Sequence, residues 1–361
     1  MPDWEPISSS ECVEGDCSSQ VPDNWSYYRS MGTFNSDTIP VGRNTISISN
    51  EHYKGVSGKA FTVWTESAPT WSADGLLMRS LGAEYNEVYV KFWHKLQPGW
   101  LMDDDEDGIL KIFRVLHYDG TGNIFQFFST GNSCPVYVID WKLSPTWGWR
   151  HVHSFRCAPQ DKYYYCNPDM DYDPRFSGDF NSPGQLGDGE WHLIELHLKM
   201  NTPPTSGTEW NRDGIFQFWF DSVLQTEKTD RQYIVEGPAK GWNYIGIGGN
   251  QHNVFTDETS GDEQWYAIDD IVVSTEPIPG DYVIGGNQIH ADVDNNSIIN
   301  TTDAMLTLRN SLGLSMSGTN WFSSATTGDV NCDNVSNSTD AMLILRHGLG
   351  LSMIGTEWCE D

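Results

Sequence analysis

Residues 191–200 read Trp-His-Leu-Ile-Glu-Leu-His-Leu-Lys-Met. Ile194, Leu196 and Leu198 recur at every second position, so in an extended strand they share one face while Glu195, His197 and Lys199 share the other. Residues 87–96 and 214–221 repeat the pattern. Val88, Val90 and Phe92 oppose Tyr89, Lys91, Trp93 and Lys95, and Phe216, Phe218 and Phe220 oppose Gln217, Trp219 and Asp221. Three half-buried strands with the same free-side mixture predict sheets that cover a core with one face only.

Further runs rich in β-branched and aromatic residues occupy 108–118, 123–129, 135–143, 242–248 and 266–274, broken by Gly, Pro, Asn and Asp. Long helical periodicity is absent between 37 and 274, so this region is expected to be a jelly-roll β-sandwich. The chain has 361 residues, enough for one large and one small domain. The divisions read from it are an N-terminal extension at 1–36, the sandwich at 37–275, a linker at 276–289 and a small module at 290–361. Aromatic residues reach 13%, with 16 Trp, against 38% hydrophobic residues in all. Burial must therefore lean on rings, which also suit sugar surfaces.

The formal net charge is -29 and no Lys/Arg run occurs, which disfavours nucleic acid as a partner. No stretch is apolar enough for a membrane span. The N-terminus carries no basic-then-apolar signal segment, which leaves a removed signal or a cytosolic protein. Among seven Cys, the local pairs Cys12/Cys17, Cys157/Cys166 and Cys332/Cys359 leave Cys134 over, and Cys134 with Cys157 is equally open.

The tail contains a duplication. Asp292 aligns on Asp329, Asp303 on Asp340, Ala304-Met305-Leu306 on Ala341-Met342-Leu343, and Gly313-Leu314-Ser315-Met316 on Gly350-Leu351-Ser352-Met353. Two copies of one loop-helix unit follow, each too small to bury its apolar side alone. Oxygen donors alternate in both copies: Asp292, Asp294, Asn296, Asn300 and Asp303, then Asp329, Asn331, Asp333, Asn337 and Asp340. That is the spacing of a calcium loop, in which Ile298 and Val335 would supply backbone carbonyls, and all-oxygen donors suit Ca²⁺. Ser297 and Asn334 replace the usual loop glycine, and Ser accepts a left-handed turn poorly, so the first loop is expected to bind more weakly. Helices are predicted after each loop, with Gly313 and Gly350 as stops.

Asp329-Val330-Asn331-Cys332-Asp333, Asn337-Ser338-Thr339-Asp340 and Leu345-Arg346 resemble a type I dockerin repeat. The resemblance covers about the last fifth of the chain. It implies two Ca²⁺ ions and a cohesin-like scaffold partner that faces Thr301, Thr302, Ser338 and Thr339. It also implies a secreted protein tethered to a scaffold or surface.

The free-side mixture of Tyr, Lys, Trp, His and Gln is what a saccharide groove requires, because rings stack on pyranose faces while amides and charges hold hydroxyls. The stretches 188–192, 199–203, 213–214, 218–221 and 268–273 resemble the concanavalin A-like jelly roll of polysaccharide lyases and related lectins, which implies a concave saccharide-binding face. The carboxylate pattern of the jelly-roll hydrolases is absent, which disfavours a glycosidase. A lyase acting on a uronic acid needs a base, a proton donor and groups that neutralise the carboxylate. Tyr89, His197, Lys91, Lys199 and Gln217 are the candidates for that chemistry. Trp93, Trp219, Lys111, Arg114 and His117 are candidates for substrate contact. A non-catalytic lectin-like or structural subunit of a surface assembly is the alternative.

The tail is expected to take up two Ca²⁺, and Asp340→Ala to abolish the second site. Calorimetry on the full chain reads the stoichiometry, and an absence of calcium uptake would refute the assignment.

Overall fold

The computed structural model describes residues 3–5, 10–12, 21–30, 46–55, 58–65, 68–101, 109–125, 134–144, 148–158, 187–253, 264–278, 291–294, 298–316, 319, 321, 328–333 and 335–359. The chain divides into two compact units, Met1–Ile278 and Pro279–Asp361.

The first unit is a sandwich of two antiparallel sheets. Its strands are β1 (Ser10–Cys12), β2 (Tyr27–Ser30), β3 (Ile46–Ser49), β4 (Ala60–Thr65), β5 (Ala68–Tyr85), β6 (Glu87–Leu96) and β7 (Ile109–Leu116). They continue with β8 (Val136–Ser144), β9 (Gly148–Arg156), β10 (His192–Lys199), β11 (Gly214–Phe220), β12 (Val223–Arg231), β13 (Trp242–Asn253) and β14 (Gln264–Ser274). The front sheet has the order β12-β11-β10-β6-β14-β4-β3, and the back sheet β1-β2-β5-β13-β7-β8-β9.

The alternation read from the sequence sets the inner face of the front sheet. Val88, Val90 and Phe92, Ile194, Leu196 and Leu198, and Phe216, Phe218 and Phe220 all enter one buried cluster. Rings bridge the layers: Phe92 stacks on Phe113 at 4.6 Å between centroids, and Tyr137 meets Phe216 at 5.5 Å. Offset ring pairs add attraction beyond the area they bury.

Several strands escaped the sequence reading for physical reasons. The inward positions of β9 are His151, His153 and Phe155, so two imidazoles stand where aliphatic residues are normally sought. Edge strand β12 buries only Thr226 and Arg231, and its sequence shows no apolar alternation. β5 is interrupted by Gly and Ala, and β3 and β4 are short. β1 and β2 lie within the expected N-terminal extension, yet β2 pairs with β5 and both belong to the back sheet. Ile124 and Phe125 were expected to open a strand but lie buried in a turn, and 126–129 fall outside the described residues.

The second unit contains α1 (Thr301–Ser311) and α2 (Ser338–Gly348), both closed at the N-terminus by a capping box on Asn300 or Asn337. Gly313 and Gly350 follow the helices in the left-handed region, with φ of 66° and 67°. Cys332 and Cys359 form a disulfide, whereas Cys134 is free and buried. Cys157 is disulfide-bonded, so the alternative pairing of Cys134 with Cys157 is corrected. Cys17 and Cys166 lie outside the described residues.

Phe92 is fully buried between the sheets. Phe92→Ala is expected to cost about 3–5 kcal/mol in chemical denaturation. A loss below about 1 kcal/mol would show that the interlayer ring packing is not what holds the sandwich.

Candidate functional site

On the outer face of the front sheet, the register sets His197 between Tyr89 and Gln217 and sets Glu195 between Lys91 and Trp219. Lys199 lies on the same face. This group is tightly self-bonded. His197 Nε2 lies 2.7 Å from Glu87 Oε1 and its Nδ1 lies 2.6 Å from Gln217 Oε1, while the ring stacks on Tyr89 at 4.2 Å. Gln217 Nε2 donates to Glu227 Oε1, Tyr89 Oη donates to Glu87 Oε1, and Lys199 Nζ sits 2.9 Å from Glu87 Oε2. Burial alone would raise the Glu87 carboxyl, but hydrogen bonds from Lys199, His197 and Tyr89 carry it below its ordinary value.

Lys91 and His197 are only 3% and 6% exposed. The half-buried Trp93 already holds Lys54 Nζ over its ring at 4.4 Å, and Trp265 has His52 stacked on it at 3.5 Å. Much of this face is therefore occupied by side chains of the chain itself.

Lys111 and Arg114 lie on β7, in the back sheet. They do not join the first group, because the two outer faces look away from each other. Around them the back sheet gathers charge. Cross-strand partners point to the same side of a sheet, and the registers place Arg29, Arg114, Lys111, Lys142 and Arg156 on one outer face, with Asp140 and Ser154 among them. β13 supplies glycines beneath this cluster. Arg114 Nη2 donates to the Gly248 carbonyl at 3.0 Å. A Cβ on Gly249 would clash with Arg114 Nη2 and stand 2.7 Å from the Lys111 Cβ, so the guanidinium lies across backbone that only glycine leaves open.

Asp140 is 3% exposed. Burial pushes its carboxyl up to about 6, against the pull of Lys111, Arg114 and Lys142 and a hydrogen bond from Ser154. Farther along the same face, Tyr244 stacks with Tyr27 at 6.1 Å and meets Tyr118 edge-on at 5.6 Å. Burial, with Tyr27 beside it, pushes the Tyr244 phenol up to about 12, so it holds its proton at neutral pH. Asp140, Lys142, Arg156, Arg29 and Tyr244 escaped the sequence reading. The signal was present in 136–144, where Val136, Val138, Asp140 and Lys142 share one parity, but nothing in that pattern says which parity faces outward.

The remaining imidazoles of this unit are mostly internal. Burial holds His94 and His153 near 3 and His151 well below its ordinary value, so all three pack as neutral rings. His117 lies just beyond β7, buried, with Nδ1 3.0 Å from the Gly241 carbonyl. Burial, then Lys240, lowers its pKa.

In the tail, the carboxylates of Asp292, Asp294 and Asp303 come within 4.8 Å of one another. Asp303 is fully buried and accepts from the backbone N–H groups of Val293, Asp294 and Asn300. Asp340 repeats this with Val330, Asn331 and Asn337. Asp329, Asp333, Ile298, Val335, Asn300 and Asn337 border the same loops, while Asn296 lies outside the described residues. Thr301, Thr302, Ser338 and Thr339 form the first turns of α1 and α2, and all but the half-buried Thr302 are exposed.

No known family matches the chain, and no curated protein matches it. Among solved structures, a variant of the alginate lyase Aly36B bound to an alginate trisaccharide shares 14% identity over 64% of this chain and 85% of that one, with a TM-score of 0.42. The endo-beta-1,4-glucuronan lyase of the fungus Trichoderma reesei shares 14% over 70% and 92%, at 0.41. The carbohydrate recognition domain of Emp46p shares 11% over 60% and 89%, at 0.34. The likeness is distant. Among the described residues, no helix is long and apolar enough to cross a membrane.

Because Glu87 titrates below its unfolded value, its network contributes stability above the unfolded carboxylate pKa and loses it as pH falls through the lower folded value. Glu87→Gln is expected to cost about 1 kcal/mol at pH 7 and to flatten the acid limb of a stability profile. An acid limb unchanged by the substitution would rule the network out as its source.

Proposed function

We propose that this chain is an extracellular protein that binds an acidic polysaccharide on the outer face of its back sheet. One observation carries the reading. In a chain with 50 acids and 21 Lys and Arg, five of those cations share one face of one sheet with Asp140. Gathering like charges there costs repulsion that counter-charges must offset, and a ligand with regularly spaced carboxylates is suited to add to those the chain supplies.

The same face offers residue types for two of the roles in cleavage by elimination, the groups that hold the carboxylate and the proton donor. In that reaction a base removes the proton on the carbon beside the carboxylate, the adjacent C–O bond breaks, a C=C bond forms and the leaving oxygen takes up a proton. Lys111 and Lys142, both half-buried, would hold the carboxylate and stabilise the charge that develops on it, while the buried Arg114 would act through its field. Tyr244, which keeps its proton, is suited to protonate the leaving oxygen. The self-bonded residues on the front sheet, Tyr89, His197, Lys199 and Gln217, become a structural network in this reading.

The tail is proposed to carry two Ca²⁺ and to dock on a cohesin-like scaffold. The donor set fits: every side-chain ligand is a hard oxygen, and the buried Asp303 and Asp340 close the two loops in the same way. Calcium would neutralise the carboxylates of each loop. Beside Thr301 and Ser338, exposed apolar residues recur in register, Met305 and Leu308 on α1 with Leu312 at its C-cap, and Met342 and Leu345 on α2 with Leu349 at its C-cap. A duplicated apolar surface of this kind suits a protein partner.

Affinity electrophoresis against acidic and neutral polysaccharides, with absorbance of unsaturated uronate followed in parallel, tests the reading. Binding is expected only to acidic polymers, weakening with salt. Lys111→Ala and Lys142→Ala are each expected to lower affinity about tenfold. Equal retention by neutral polymers would overturn the proposal. Binding without unsaturated product would leave a lectin-like role.

A further inference from the structure

Cys332 stands inside the second oxygen-donor loop, between Asn331 and Asp333, and its φ of 60° puts it in the left-handed region. That conformation is costly for an ordinary L-residue, and glycine or asparagine normally fills it. At the corresponding place in the first copy the residue is Asn295, a type that tolerates the turn. The second copy has Cys there, so the turn needs support from elsewhere.

The turn has a direct consequence for the donors around it. The backbone N–H of Asp333 comes back to Asp329 Oδ1 at 3.1 Å and to Asn331 Oδ1 at 3.2 Å, and Asn331 Nδ2 donates to Asp333 Oδ2 at 3.1 Å. Three donor side chains of the loop thus converge around Cys332. The support comes from the chain end. Cys332 is bonded to Cys359, 27 residues on, and the Cys359 N–H donates to the Val330 carbonyl at 2.9 Å. Trp358, one residue before it, stacks on His347 of α2 at 4.9 Å and packs on the small core that holds Ala304, Leu343 and Ile344. The end segment is therefore fixed to α2 and pins Cys332 from outside the loop. Cys332 is exposed and Cys359 half-buried, which leaves the bond open to a dissolved thiol.

We propose that the Cys332–Cys359 disulfide is a redox control on calcium affinity: closed, it holds the left-handed turn on which the second loop's donors converge, and opened, it weakens that site while sparing the first. This rests on the calcium reading of the tail. Opening the bond takes two electrons and two protons from a dithiol, which becomes a cyclic disulfide, and leaves a thiol on Cys332 and on Cys359; oxidation reverses the exchange. With the turn no longer imposed, the binding-competent loop becomes a minor form and the apparent dissociation constant rises in proportion. The first loop contains no cysteine and keeps its affinity. In the extracellular setting proposed above the bond is closed and both loops bind; in a reducing compartment only the first binds tightly.

The test is calorimetric calcium titration of the full chain carrying Asp294→Ala, which removes a donor from the first loop and leaves the second to be read alone. On that parent, adding Cys332→Ser and Cys359→Ser is expected to weaken calcium binding about tenfold, the cost of keeping an ordinary residue left-handed. Dithiothreitol should weaken the parent equally and leave the cysteine-free variant unchanged. Cys332→Asn with Cys359→Ser should recover most of the affinity without a disulfide, because Asn takes the turn unaided. Affinity unmoved by both dithiothreitol and the Ser pair would overturn the inference and leave the calcium reading standing. An Asn variant as weak as the Ser variant would also overturn it, since the turn would not be what the disulfide supplies. Absence of calcium uptake by the parent and by the unaltered chain, with circular dichroism showing both folded, would remove the calcium reading and this inference with it; uptake by the unaltered chain alone would remove only the second site and the inference.

Discussion

The sandwich depends on ring-to-ring packing between two sheets. Phe92, Phe216 and Phe218 of the front sheet and Phe113, Tyr137 and Phe155 of the back sheet fill the interlayer space, and His151 and His153 join them as neutral rings. Because a strand turns alternate side chains to opposite faces, committing one parity to this core obliges the other parity to face out. The polar chemistry of each sheet is a consequence of that commitment. Two separate outer faces result, and their characters differ.

The front face resolves its polar groups internally. Glu87 collects His197, Lys199 and Tyr89, and Gln217 bridges His197 to Glu227, so donors and acceptors are matched within the chain. On the back face, five basic residues share one side of the sheet with a weakly bonded carboxyl, and a run of glycines in β13 leaves the backbone bare beneath Arg114. A protein carrying so large an excess of acid gains nothing in solubility from such a cluster. Its concentration of basic side chains is the feature on which the proposed acidic ligand rests.

The second unit is held by a different kind of order. Each helix begins on an Asn cap and an Asp that accepts three backbone N–H groups, and the copies agree bond for bond. Ala304, Leu343 and Ile344 form a small core between the helices, with Ala291 and Val330 from the loops. So small a core leaves large apolar residues outside it. The Cys332–Cys359 disulfide adds a covalent tie between the second loop and the end of the chain, a tie the first copy lacks because Asn295 and Phe322 stand at the corresponding positions.

Period-2 alternation in 87–96, 191–200 and 214–221 was enough to establish strands, their inward residues and a sandwich, because side-chain parity is a local property of extended backbone. The tail duplication likewise carried its loop spacing, helices and glycine stops in plain sight. What no local pattern contains is which strand lies beside which. Lys111 and Arg114 were grouped with His197 because the chemistry matched, yet hydrogen-bonded pairing sends β7 to one sheet and β10 to the other. Asp140 and Lys142 on β8 and Arg156 on β9 meet Lys111 and Arg114 only through cross-strand register. Burial of a histidine, or of a carboxyl among cations, is equally non-local, since it depends on what the opposite sheet and neighbouring strands bring within a few ångströms. Sequence determined the strongly alternating strands and their two faces; tertiary pairing alone decided that Arg29, Lys111, Arg114, Lys142 and Arg156 share one face of the back sheet.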